Sequence, residues 1–316
     1  MPILPLRPVI ELSFDPIVQL GEWHVRLQTI ALAVVILAAL IVAARIARRT
    51  PVDTRLPPEA VDDDGEPNHL RRDDLLYIAV ASLPGAVIGG RLGWALVHWG
   101  YVDATPGAIL DLGVGGFQLS LAVVGGTLTA AIVAGLLDTP VSRWLHALIL
   151  PLLLAIAGGK LAMALGGEGQ GVPWDGGWAT AYLGAGPWLS LAPAVPSHPA
   201  QVYEALATVG VGVVVAVLVT AGLFRGLGGA AFLVGVALWC VARLVVAFTW
   251  RDPAVLGPLG MDQVLSLAIA GVAMVLLPVG DLTGRLRARR EHGTGEPAAG
   301  SGRRPDWSDP TSRPHV

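Results

Sequence analysis

The chain has 316 residues, 53% hydrophobic and 14% charged, with a formal net charge of −3 and a mean hydropathy of +0.63. Soluble domains carry ~25% charged residues, so these figures exclude a disordered chain and argue against an ordinary soluble enzyme. One cysteine, Cys240, excludes a disulfide framework and a cysteine-based zinc site, and basic residues split into short clusters give no nucleic-acid footprint.

A bilayer core is crossed by ~20 apolar residues in a helix. Seven blocks have that length, over roughly 27–44, 75–98, 114–137, 145–165, 202–223, 229–250 and 261–281. Runs this long satisfy their backbone in lipid as helices. The expected fold is an all-α integral membrane protein with seven transmembrane helices. The first block starts late and runs into a basic loop, which argues against a cleaved signal peptide.

Arginine placement sets the expected orientation. Arg45, Arg48, Arg49, Arg55, Arg71 and Arg72 follow span one, Arg143 follows span three and Arg225 follows span five. Arg285, Arg287, Arg289 and Arg290 follow span seven, whereas 99–113 and 166–201 carry no lysine or arginine and 251–260 only Arg251. The N-terminus is therefore expected outside and the C-terminus in the cytoplasm. The domain reading is a seven-helix unit over 1–284 and a disordered basic tail over 285–316, with the acidic 50–74 loop partly ordered. Segment 166–201 carries Trp174, Trp178, Tyr182 and Trp188 among glycines and prolines. It reads either as an interfacial anchoring loop or as a small extracytoplasmic cap over a site.

Charges inside a span are costly and mark function. Arg91, Lys160 and Arg243 lie in spans two, four and six, each about seven residues before the outer end, or ~10 Å deep. Cations at one depth on helices that run the same way are candidates for a shared anion site, with arginine suited to phosphate or carboxylate. The alternative is that each snorkels outward or pairs with a carboxylate. Gly89-Gly90-Arg91-Leu92-Gly93-Trp94-Ala95-Leu96 parallels Gly158-Gly159-Lys160-Leu161-Ala162-Met163-Ala164-Leu165, and Lys160 is the only lysine. Small residues permit close helix approach, so the repeat is expected to bring both cations toward one axis. Glu168 and Glu204 are the carboxylates nearby, and Glu204 closes the run His198-Pro199-Ala200-Gln201-Val202-Tyr203-Glu204. That run reads either as hydrogen-bonding groups facing a cavity or as an interfacial cap with an aromatic anchor.

These residues resemble the prolipoprotein diacylglyceryl transferases of bacterial inner membranes. The His198–Glu204 run is similar to that family's His-Pro-Ser-Gln-Leu-Tyr-Glu, and Gly89-Gly90-Arg91-Leu92-Gly93 to its Gly-Gly-Arg-x-Gly. The pairs Gly115-Gly116 and Gly125-Gly126, and Met261-Asp262-Gln263-Val264-Leu265-Ser266 against Met-Gly-Gln-x-Leu-Ser, follow in the family's order, over roughly residues 12–283. The signature Gly-Arg-x-(Gly/Ala)-Asn-Phe-x-Asn-x-Glu-x-x-Gly is met by Gly159, Ala162, Glu168 and Gly171. Lys160 replaces its arginine, Met163 and Gly166 its asparagines, and Ala164 its phenylalanine. Val124 stands where the family has a histidine, Gln28 near an expected tyrosine, Trp239 for a tyrosine and Ala247 for a carboxylate.

The resemblance implies transfer of a diacylglyceryl group from phosphatidylglycerol to the lipobox cysteine thiol of a preprolipoprotein. Glycerol phosphate leaves, no cofactor or metal takes part, and the protein is multi-pass in the bacterial cytoplasmic membrane. Carried onto this sequence, Arg243, His198 and Glu204 are the expected catalytic residues. Lys160, Arg91, Arg243, Glu168, Gln201 and Tyr203 are expected to bind phosphatidylglycerol. Phosphate binding falls to Arg243 and Lys160 with Arg91 in support. With the family's histidine absent, His198, His98 and Glu204 are the candidates for deprotonating the thiol. The cavity is expected between spans two, four, five and six, open sideways to lipid. Two other readings stand beside this one: a degenerate binder of phospholipid or lipoprotein precursor, and a transporter of an anionic amphiphile.

Overall fold

The computed structural model describes residues 9–53, 59–61, 65, 68–111, 113–184, 186–224 and 227–293, with side chains to 278. The 294–316 part of the expected tail, and Arg55, Arg225 and the tail arginines' side chains, lie outside these residues.

Three short strands open the described residues, β1 (Ile10–Leu12), β2 (Ile17–Leu20) and β3 (Trp23–Arg26), the last two forming a hairpin. The helix α1 (Leu27–Ala47) follows, then α2 (Arg72–Val97) and the short α3 (Trp99–Ala104). Next come α4 (Leu119–Leu136), α5 (Val141–Leu165), strand β4 (Thr180–Tyr182), α6 (Ala200–Thr220) and α7 (Ala230–Val246). A hairpin of β5 (Ala254–Leu256) and β6 (Leu259–Gly260) leads into α8 (Met261–Gly293). Among the described residues, seven helices are long and apolar enough to cross a membrane, over the seven expected blocks. The described residues are mostly helical, with three two-stranded pairs added to the all-α expectation.

The helices are apolar outward as well as inward. Val34, Leu37, Leu128, Ile132, Val213, Val217, Val245 and Val275 are all exposed, which suits a solvent of lipid tails. Inside, α5 is the hub, packing on α1, α6 and α7. Ile149 and Leu153 of α5 meet Val215 of α6 and Trp239 and Cys240 of α7 in one core. Ala43, Ile78 and Ala134 gather around Trp144 and Ala147 in a second.

Among the described residues, α2 and α4 share the most extensive helix–helix contact. A Cβ at Gly85 would collide with the Gly125 carbonyl, and one at Gly125 with that of Gly85. Small residues thus buy backbone contact, the usual source of helix affinity in lipid. The two similar runs use this device toward different neighbours. Gly89 lies against the backbone of Leu121 and Gly158 against Val35 of α1, so the repeat does not bring its two cations to one axis.

Segment 166–201 packs against the end of α5 and the N-terminal strands. Its strand β4 pairs in parallel with β1, and the Arg26 guanidinium donates to the Pro187 carbonyl at 3.0 Å. Tyr182 is buried and donates to the Ala164 carbonyl at the end of α5, 2.8 Å away.

Candidate functional site

Four successive long helices each bring one charged side chain to a common point: Lys160 on α5, Glu204 on α6, Arg243 on α7 and Asp262 on α8. All four are buried. Lys160 Nζ lies 3.0 Å from Glu204 Oε2, and Arg243 Nη1 bonds the other oxygen, Oε1. Arg243 Nη2 donates to Asp262 Oδ2 at 2.5 Å. The second oxygen of Asp262 accepts from Gln118 Nε2, whose own Oε1 caps α4 by accepting from the Leu121 N–H at 2.7 Å. Two cations and two carboxylates balance one another, the condition under which ions are tolerated away from water.

The cluster forms one wall of a cavity of about 400 Å³. Lys160, Arg243 and Asp262 face it from α5, α7 and α8, and Trp94 and His98 from the end of α2. Gly115 to Leu119, with Trp250 and Asp252, complete it. The Lys160 ammonium sits 4.6 Å from the centre of the Trp250 ring, a favourable contact for a desolvated cation. Gly115 takes a positive φ of 73° against the Trp94 indole, where a Cβ would collide with the ring.

Donor capacity remains in this wall. The buried Arg243 Nε has no hydrogen-bond partner, and an ammonium carries three N–H groups, of which Glu204 engages one. The carboxyl of Asp252 is held above the usual carboxylate range, first by burial and then by the charge of Asp262; Arg243, His98 and Lys160 oppose this.

Arg91 is not in this cavity. Its guanidinium donates to five backbone carbonyls: Ile109 (3.1 Å) from Nε, Val114 (2.9 Å) and Gly116 (3.1 Å) from Nη1, Ala108 (2.5 Å) and Asp111 (2.7 Å) from Nη2. Every N–H that arginine owns is used. Three cations at similar depth were expected on one anion; two meet, and the third stitches the segment before α4. That stitching also moves the start of span three from 114 to Leu119.

The other expected site residues sit behind or above the cavity. His198 stacks on Trp174, 4.3 Å between ring centres at 7°, and its Nδ1 is 3.3 Å from the Tyr203 hydroxyl. Burial holds this imidazole below the ordinary histidine range. Tyr203 Oη also accepts from Trp178 Nε1 at 2.6 Å. Gln201 is buried and donates to the Tyr182 hydroxyl at 3.3 Å, while Glu168 accepts from Gln28 at 3.0 Å, tying α1 to the loop after α5. None of His198, Gln201, Tyr203, Glu168 or Glu204 lines the cavity, and α8 rather than α6 closes it.

Three cavity residues were missed by the sequence reading: Asp262, Gln118 and Asp252. Asp262 stood in plain view in Met261-Asp262-Gln263, an acidic side chain where the similar motif has glycine. Gln118 and Asp252 carried no such signal.

A family description, prolipoprotein diacylglyceryl transferase, matches residues 16–279. Several named proteins are similar at modest identity. A phosphatidylglycerol–prolipoprotein diacylglyceryl transferase of Polynucleobacter necessarius is 31% identical over 194 residues, 60% of this chain and 68% of its own length. Proteins of that same name from Geobacter sulfurreducens and Clostridioides difficile are 28% and 25% identical over 218 and 201 residues. They cover 66% and 63% of this chain and 79% and 75% of their own lengths.

Proposed function

The chain belongs to the prolipoprotein diacylglyceryl transferase family, and from that footing we propose that it transfers a diacylglyceryl group from phosphatidylglycerol to the lipobox cysteine of a preprolipoprotein. The protein spans the bacterial inner membrane with its N-terminus and the cavity on the outer side and its C-terminus inside. The arginine bias of the loops supports this orientation, as does the need to meet a lipoprotein precursor as it emerges. Segment 166–201 serves as a cap above the site.

The observation that carries the proposal is the meeting of Lys160 and Arg243 in the wall of one cavity. The thiolate sulfur attacks the glyceryl carbon that bears the phosphate ester. A C–S bond forms, the C–O bond breaks, and its electron pair leaves on glycerol phosphate. The phosphate gains charge as the bond breaks, so donors already fixed around it lower the barrier. Lys160 and Arg243 are those donors, through the ammonium's remaining N–H groups and Arg243 Nε. Glu204 and Asp262 orient the two cations, Glu204 from behind the cavity wall and Asp262 from within it. A lysine in place of arginine keeps the charge but not the two-pronged grip, and the prongs of Arg243 are already held by Glu204 and Asp262, so phosphate recognition rests on single N–H donors from both residues.

The test is turnover by purified protein in detergent, supplied with phosphatidylglycerol and a lipobox peptide. The expected result is a peptide heavier by one diacylglyceryl group and an equal release of glycerol phosphate. Lys160→Ala and Arg243→Ala abolish both. A wild-type chain that leaves the peptide unchanged would sink the proposal. Non-catalytic binding and anion transport find no support among the similar proteins.

A further inference from the structure

The transfer just proposed needs a base, because a thiol attacks as its thiolate. The cavity narrows the choice. Of the five histidines whose side chains are described, His24, His69, His98, His146 and His198, only His98 lines it. Of its two carboxylates, Asp262 has both oxygens engaged, by Arg243 and Gln118. Asp252 stands near enough to His98 to feel its charge.

The His98 ring is fixed in a form suited to taking a proton. Its Nδ1 lies 3.0 Å from the Trp94 carbonyl oxygen. A carbonyl only accepts, so Nδ1 of the neutral ring carries the hydrogen and Nε2 presents its lone pair. The imidazole stacks on the Trp94 indole at 5.2 Å and 26°, and that indole lies 4.4 Å from the immobilised Arg91 guanidinium. Arg91, Trp94 and His98 follow one face of α2 at three- and four-residue spacing. Helix α2 ends there, at φ −110° and ψ 34°, leaving the ring at the open side of the cavity.

Resting on the transferase reading, we propose that His98 Nε2 takes the proton from the substrate cysteine thiol. The sulfur keeps the electron pair and attacks the glyceryl carbon. The proton passes from the imidazolium to the departing glycerol phosphate or to water at the mouth, and the Asp252 carboxylate stabilises the imidazolium meanwhile.

The experiment compares wild type, His98→Gln and His98→Ala in the lipobox-peptide assay, with and without added imidazole. The expected result is a loss of roughly 10²–10⁴-fold in kcat for His98→Gln, with KM for phosphatidylglycerol little changed. Imidazole restores part of the turnover of His98→Ala, and more above its own pKa than below it. A His98→Gln enzyme with wild-type kcat would overturn the assignment while leaving the transferase reading in place. So would a His98→Ala loss that imidazole does not relieve and that comes with a raised KM, the mark of a purely structural role. An inactive wild type would remove the transferase reading, and this base with it.

Discussion

Lys160 and Arg243 meet on a single carboxylate, one on each oxygen of the buried Glu204. Two like charges this close in a low-dielectric interior repel strongly, and Glu204 with Asp262 is what makes their proximity possible. Glu204→Gln keeps the shape and removes the charge. It should destabilise the protein by ~3–5 kcal/mol, the usual cost of breaking a buried pair, and abolish turnover. Adding Lys160→Met should return part of that stability, because Arg243 still has Asp262. Thermal unfolding of the two single variants and the double in one detergent measures the coupling. Simple additivity would show that the three side chains do not act as one cluster.

Arg91 holds the segment before α4 through five carbonyls. A lysine at that place offers three donors from a single point and cannot reproduce a planar five-donor fork. Arg91→Lys and Arg91→Ala should therefore both lose ~3 kcal/mol or more, since several hydrogen bonds to a charged group vanish and carbonyls are left unpaired. Limited proteolysis should cut both variants within 105–117 at protease levels that leave the wild type whole. An Arg91→Lys protein as stable and as resistant as wild type would contradict this account.

The seven spans were legible because lipid forces a long apolar run wherever the chain crosses it. The depth of the three cations was legible too, since each is a break in such a run. Their partners were not. Position along a helix says nothing about which way a side chain points relative to five or six neighbours, so Arg91 and Lys160, in nearly the same local sequence, turn to different surroundings. Gly89 settles against α4 and Gly158 against α1. Asp262 was visible as an acidic residue where the similar motif has glycine, but its ion pair with Arg243 on another helix was not. The sequence favoured His198 as a catalytic residue and offered His98 only as a further candidate base; the folded chain places His98 at the cavity wall and His198 on Trp174.

The Gly85–Gly125 contact fixes how α2 and α4 cross, and with it where Trp94 and Gln118 face the cavity. Gly125→Ala places a methyl against the Gly85 carbonyl, which is backbone and cannot turn aside. The helices must separate, at ~1–3 kcal/mol by the usual cost of overpacking. Gly210 on α6 has open space where its Cβ would be, so Gly210→Ala should be neutral or stabilising by up to ~1 kcal/mol through helix propensity. Melting temperatures of the two variants provide the comparison. An equal response would mean that the close approach carries no energy.

The raised pKa of Asp252 gives a pH dependence of defined sign. Burial, then the charge of Asp262, makes the folded protein bind this proton more tightly than the unfolded chain does. Below the ordinary carboxylate range both states are protonated and stability is full. As pH rises through the raised value, the folded state must ionise a group that resists it, and stability falls. Asp252→Asn removes that penalty, so its melting temperature should exceed that of wild type at neutral pH, by roughly a degree or two given solvent screening at the mouth. The difference should vanish near pH 3. The same charge opposes an incoming phosphate and supports an imidazolium at His98, so the two kinetic constants should part. KM for phosphatidylglycerol falls in Asp252→Asn, and kcat falls with it, as expected for a site that binds its anion better and moves its proton worse. A variant with higher KM and unchanged melting temperature at every pH would show that Asp252 lies outside the electrostatics of this cavity.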